Sequence, residues 1–81
     1  MSSDYDTTKT LDVKGQSCPM PVVKTKQAID DLDAEDVLKV VATDAGSMSD
    51  IQGWADSTGG VELLDQVEDG DLYTHYVKKT E

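Results

Sequence analysis

The chain has 81 residues, which suits one domain, and it carries 17 acidic residues against 7 lysines and no arginine, for a net charge of −10. Nucleic-acid binding depends on neutralising phosphates with lysine and arginine, so direct nucleic-acid binding is not expected. No stretch approaches the roughly 18 apolar residues of a membrane span, and the polar first residues lack the apolar region of a secretory signal, so no membrane partner is expected.

A single cysteine, Cys18, suits a reducing cytoplasm, which is the expected location. The acidic excess favours solubility, as in a high-salt cytoplasm, and an acidic face for a basic partner is the alternative. A monomer is expected. We expect a disordered tail over residues 1–7 and a single domain over residues 8–79.

The first half of the domain indicates a strand followed by a helix. Apolar and polar residues alternate from Thr8 to Lys14, as in a half-buried strand, and Gly15 ends it. Pro19 and Pro21 fit the first turn of a helix, where the missing N–H groups would be unbonded anyway. A helical apolar stripe then continues to Leu32.

The second half begins with a β-branched run over residues 37–43, which predicts a central strand. Ser47 is interpreted as the N-cap of a second helix, with Asp50 completing a capping box and Gly59-Gly60 closing the helix. Gly53, inside that helix, is interpreted as a site of close packing.

Residues 61–67 and 72–78 predict a hairpin that turns at residues 68–71. The only histidine, His75, has no metal-ligand cluster beside it, so it is interpreted as a structural or surface residue, and neither a metal nor a cofactor is expected. The order βαβαββ predicts an α/β (α+β) two-layer sandwich, with a four-stranded mixed sheet and both helices on one face.

Cys18 lies in a loop, between Ser17 and Pro19, directly before the first helix. A helix N-terminus presents unpaired N–H groups and a partial positive charge, which favour a thiolate over a thiol with its free pKa of about 8.5. Cysteines that serve packing usually lie within apolar runs. The position therefore predicts a reactive thiol.

Three lysines surround this cysteine. From Val13 to Ile29 the chain contains no acidic residue, and Lys14, Lys24 and Lys26 give a local charge of +3. Positive charge near a cysteine favours its thiolate and attracts anionic or acidic partners. The alternative is that Lys24 and Lys26 only form the solvent-facing side of a helix.

These residues resemble the TusA family of sulfur carriers, also called SirA-like. The resemblance rests on Gly15 after a strand, then Cys18-Pro19-x-Pro21, with further matches across residues 9–79. It implies that Cys18 carries sulfur as a persulfide, that Gly15, Pro19 and Pro21 position the loop, and that lysines stabilise the anion or dock partners. It implies a donor, such as a cysteine desulfurase or rhodanese-type protein, and a downstream acceptor protein in tRNA thiolation, cofactor synthesis or sulfur oxidation.

With no second catalytic group beside Cys18, a sulfurtransferase-type carrier is expected, in preference to a self-sufficient enzyme. Two alternatives remain open at this point. One is a SirA-like regulatory or protein-interaction module in which Cys18 is dispensable. The other is a redox-sensing thiol that forms a sulfenic acid or a mixed disulfide.

Overall fold

The computed structural model describes residues 7–17 and 20–81. The predicted order βαβαββ is confirmed, with the following bounds: β1 Lys9–Val13, α1 Met20–Asp30, β2 Val37–Ala42, α2 Ser47–Ser57, β3 Val61–Asp69 and β4 Leu72–Lys79. The predicted tail of residues 1–7 lies outside the described residues except for Thr7. Within the described ranges, no helix has the length and apolar character needed to cross a membrane.

The four strands form one mixed sheet in the order β1-β2-β4-β3. β1 is parallel to β2, with Val13 opposite Ala42, and β4 is antiparallel to both of its neighbours. Gly70, at φ +63°, forms the tight turn of the β3–β4 hairpin, as the turn residues indicated. The last strand is therefore inserted beside β2, and β1 and β3 form the edges of the sheet.

Both helices pack on one face of this sheet, which confirms the predicted two-layer architecture. Alternate residues of β2, Leu38 and Val40, are fully buried beneath the helices, whereas Lys39 between them is only half-buried. Burying a Leu, Ile or Val side chain contributes roughly 1.5–3 kcal/mol. The core consists of Val13, Ala28, Ile29, Leu32, Leu38, Val40, Ala42, Ile51 and Val77.

The first helix begins as predicted and ends earlier. Pro21 occupies its first turn and is fully buried, and the hydroxyl of Thr25 donates to the Pro21 carbonyl over 2.7 Å. The helix ends at Asp30, and the ammonium of Lys79 donates to the nearby carbonyl of Leu32 over 2.7 Å. Pro19, predicted in the same first turn, lies outside the described residues.

Three interpretations of the second helix are wrong. Its C-cap is Thr58, whose N–H donates to the carbonyl of Trp54, and not Gly59-Gly60. Gly46, and not Ser47, is the N-cap of α2, and in the described part of the chain no side-chain hydrogen bond caps that end. Ser47 is instead fully buried, with its hydroxyl against His75. Gly53 does not mark close packing, since a Cβ placed there would meet no atom within 4 Å.

Candidate functional site

The candidate site lies where the parallel strands β1 and β2 end. This is the carboxyl edge of the sheet, across the strand ends, and not the side of an edge strand. The loop that follows Val13 leads into α1 at Met20, and the turn that follows Ala42 leads into α2 at Ser47. Because the two strands are parallel and adjacent, both helices begin at this same edge. Helix N-termini present unpaired N–H groups and partial positive charge, so this edge favours a negatively charged group.

Cys18 and Pro19 lie outside the described residues, but the chain on either side of them is placed. Before them, the N–H of Gln16 donates to the carbonyl of Val13 over 3.2 Å and closes a turn. Gly15 occupies the third position of that turn at φ +82°, a left-handed conformation that favours glycine. This turn directly follows the last residue of β1, which confirms the prediction that the strand ends at Gly15.

A second backbone hydrogen bond lies beyond them. The N–H of Met20 donates to the carbonyl of Ser17 over 2.9 Å at the start of α1. The predicted sulfur-carrying residue therefore stands in the sequence after the turn at Gly15 and between the two residues that this second bond joins. Thr43, a residue that sequence reasoning missed, contacts the turn at Gly15, because its Oγ1 accepts a hydrogen bond from the Gly15 N–H over 2.9 Å.

The structure separates the three predicted lysines. Lys14 is exposed, and its ammonium lies 3.7 Å from the carboxylate of Asp12, which partly neutralises it. Lys24 is half-buried and Lys26 is exposed, both on α1. The sequence window began after Asp12 and so overlooked this neighbour. The lysines of α1 are the better candidates for a positive surface.

Two apolar side chains are exposed beside these lysines. Met20 is 39% exposed and Val23 is 38% exposed, and they lie one turn apart on α1. On a helix, Met20 is also a neighbour of Lys24, and Val23 of Lys26, by the same i,i+3 and i,i+4 spacing. Together these four residues form a contiguous surface, called here the α1 surface.

His75 is fully buried, so of the two predicted roles the structural one applies. The side-chain nitrogen of Gln66 donates to the Met48 carbonyl over 2.8 Å and lies 3.0 Å from Nδ1 of His75. Because an amide nitrogen only donates, Nδ1 accepts, and the imidazole carries its proton on Nε2. Nε2 lies 3.1 Å from the hydroxyl of Ser47 and donates to it.

This network connects the hairpin to the start of α2. Burial of the imidazole lowers the pKa of His75 to about 4 from the usual 6.5, so the ring is neutral near pH 7. Both ring nitrogens are used within the protein, which leaves neither as a metal ligand. Gln66 was missed in the sequence because its partner Met48 is 18 residues away.

A groove of about 230 Å³ lies towards the other end of the helices. Its walls include Ile29, Trp54 and Val61 with Lys26 and Lys79. Trp54 is half-buried and packs against the core cluster. This groove is formed by the C-terminal halves of the helices and is separate from the edge with Gly15 and Thr43.

Comparisons with known proteins identify the class. A family model described as Sulfurtransferase TusA matches residues 9–79. A protein of Halobacterium salinarum, provisionally named a sulfur carrier protein, is 70% identical over 80 residues, which cover 99% of each chain. Sulfur carrier protein TusA of Allochromatium vinosum is 35% identical over 78 residues, 96% of this chain and 99% of that one.

A solved structure shows the same fold. The crystal structure of a SirA-like protein from Desulfitobacterium hafniense matches with a TM-score of 0.70 at 29% identity, over 90% of this chain and 99% of that one. The chain belongs to the TusA sulfurtransferase family. Membership in this family of sulfur carriers implies that the protein exchanges sulfur with other proteins.

Proposed function

We propose that the protein is a cytoplasmic sulfur carrier that holds sulfur as a persulfide on Cys18. The donor is a cysteine desulfurase or a rhodanese-type protein, and the acceptor is a protein thiol in tRNA thiolation, cofactor synthesis or sulfur oxidation. The observation that carries the proposal is the sequence position of the only thiol in the chain. It follows the turn at Gly15 and stands between Ser17 and Met20, at the edge where both helices begin.

The chemistry is exchange at sulfur. The Cys18 thiolate attacks the terminal sulfur of the donor persulfide, so that a new S–S bond forms, the donor S–S bond breaks and the donor thiolate leaves. In the second step an acceptor thiolate attacks the terminal sulfur on Cys18 and releases the Cys18 thiolate. Neither step changes the total number of electrons, so no external oxidant or reductant is required.

The chain acts in this proposal as a carrier and not as a turnover enzyme. Gly15 supports that role by turning the chain at φ +82°, and Pro21 by its complete burial in the first turn of α1. Pro19 is proposed to restrict the loop beside the thiol in the same way.

The α1 surface suits docking with other proteins. It combines exposed Met20 and Val23 with Lys24 and Lys26, and an apolar centre with a charged rim is the usual anatomy of a transient interface. The protein as a whole carries a charge of −10. A donor or acceptor with an acidic rim around its own reactive cysteine is therefore steered to this surface.

Mass spectrometry tests the proposal. After incubation with a cysteine desulfurase and cysteine, the protein is expected to gain about 32 Da, removable by a reductant. Cys18→Ser is the control, and its circular dichroism and unfolding midpoint establish that it is folded. Oxygen adducts or mixed disulfides without added sulfur would indicate a redox sensor. Partner binding that survives Cys18→Ser, with no sulfur uptake by the wild type, would indicate an interaction module.

A further inference from the structure

One side chain connects the end of β2 to the loop that carries the cysteine. Thr43 directly follows Ala42, the last residue of β2, and its Oγ1 accepts from the N–H of Gly15 over 2.9 Å. The strands end side by side, since Ala42 lies opposite Val13. This hydrogen bond extends their contact beyond the last pair of the sheet and reaches the residue three positions before Cys18.

The segment after Thr43 is firmly held. The carbonyl of Asp44 accepts from the N–H of Ser47 over 2.9 Å, and the Asp44 carboxylate accepts from the N–H of Gly46 over 3.3 Å. Ser47 is fully buried and bonded to His75 of β4. Thr43 therefore stands between a strand and a segment anchored in the core, which makes it a fixed support for the loop.

We propose that Thr43 is a positioning residue for Cys18, acting through its hydrogen bond to Gly15; the inference rests on the proposed function of that cysteine. Four residues separate Gly15 from Met20, whose own N–H is bonded to Ser17. A hydrogen bond at Gly15 reduces the conformations open to the backbone at that position. Loss of the Thr43 bond frees Gly15, three positions before Cys18 in the sequence.

The test compares three variants. Thr43→Val keeps the size and β-branching of threonine but removes the acceptor, and Thr43→Ser keeps the hydroxyl. Thr10→Val makes the same chemical change at an exposed position of β1. Two quantities are measured: the hydrogen-exchange rate of the Gly15 amide by NMR, and the pH profile of Cys18 alkylation by iodoacetamide.

In Thr43→Val we expect the Gly15 amide to exchange about fivefold faster, in line with the loss of one hydrogen bond. The midpoint of the alkylation profile should move up by about half a pH unit, because a less restrained thiol gains less, as thiolate, from the partial positive charge of a helix N-terminus. Thr43→Ser should restore both values, and Thr10→Val should change neither.

Unchanged Gly15 exchange in Thr43→Val overturns the inference, because the bond then does not restrain the loop. Faster exchange of the Gly15 amide with an unchanged midpoint of the alkylation profile also overturns it. So does a Thr43→Ser variant that changes both quantities as much as Thr43→Val does. Sulfur uptake by the wild type is measured separately. If the wild type takes up no sulfur, the proposed function fails, while exchange and alkylation still decide the role of Thr43.

Discussion

Nε2 of His75 lies 3.1 Å from the hydroxyl of Ser47, and this contact joins β4 to the first residue of α2 inside the core. Both residues are fully buried. The donor at this contact is the neutral imidazole, because Gln66 occupies Nδ1 as a hydrogen-bond donor. Protonation of the ring would place a positive charge in the core and turn Nδ1 into a second donor facing the Gln66 amide.

The first prediction is that acid weakens the fold through His75. Burial lowers its folded-state pKa to about 4 from 6.5, so between these values the unfolded chain binds the proton more strongly. The contribution to stability is complete above about pH 6.5 and is lost as the pH falls towards 4. It amounts to roughly 3 kcal/mol.

Urea unfolding at pH 4.5 and pH 7 measures this loss, and His75→Gln is the matched control. Glutamine keeps a donor and an acceptor but does not titrate. The change in the free energy of unfolding of this variant between the two pH values therefore reports only the other titrating groups. Since the chain has one histidine, its ring protons also give an unambiguous NMR titration. An NMR midpoint near 6.5 in the folded protein would contradict the prediction.

The second prediction contrasts two glycines. Gly53→Ala should stabilise the protein by about 0.5–1 kcal/mol, because alanine favours a helix interior and its methyl group meets no atom within 4 Å. Gly15→Ala should destabilise it by about 1 kcal/mol, because Gly15 has φ +82°. Thermal or urea unfolding measures both, and changes of the same sign in the two variants would refute the contrast.

The third prediction concerns Glu35, which has φ +76° although it is not a glycine. Its carboxylate lies 2.8 Å from the ammonium of Lys78 and raises the pKa of that lysine. Glu35→Gly and Glu35→Ala remove the same ion pair, so their difference isolates the backbone. We expect the glycine variant to be about 1 kcal/mol more stable than the alanine variant by urea unfolding. Equal stabilities would show that the backbone conformation carries no cost.

The fourth prediction concerns docking. Reversing charge with Lys24→Glu and Lys26→Glu should slow sulfur transfer from a desulfurase by about fivefold or more at low salt, because charge pairs act mainly on association rate. The effect should shrink in 1 M salt, where the Debye length is about 3 Å.

The matched control reverses Lys9 and Lys39, which lie on β1 and β2 and not on α1. This pair changes the net charge by the same amount. Loading by a small-molecule persulfide separates chemistry from docking. If the control pair slows transfer as much as the α1 pair, net charge and not the α1 surface governs association.

The sequence by itself determined the elements of this protein. Alternation around Leu11 and Val13, the proline of the first helical turn and the turn at Gly70 each depend on residues close in the chain. Local periodicity and turn chemistry therefore predicted the order βαβαββ and the two-layer fold. The Cys18 motif was likewise readable, because the glycine turn and the prolines lie within a few residues of it.

Only the tertiary structure decided which distant residues meet. Nothing local indicated that β4 lies between β2 and β3, and this insertion brings His75 beneath the start of α2. Ser47 followed the local pattern of an N-cap, but its hydroxyl bonds to His75, 28 residues away. Thr43 and Gly15 are also 28 residues apart. Such pairings depend on strand order and register, which arise from packing of the whole sheet and not from the pattern of any one segment.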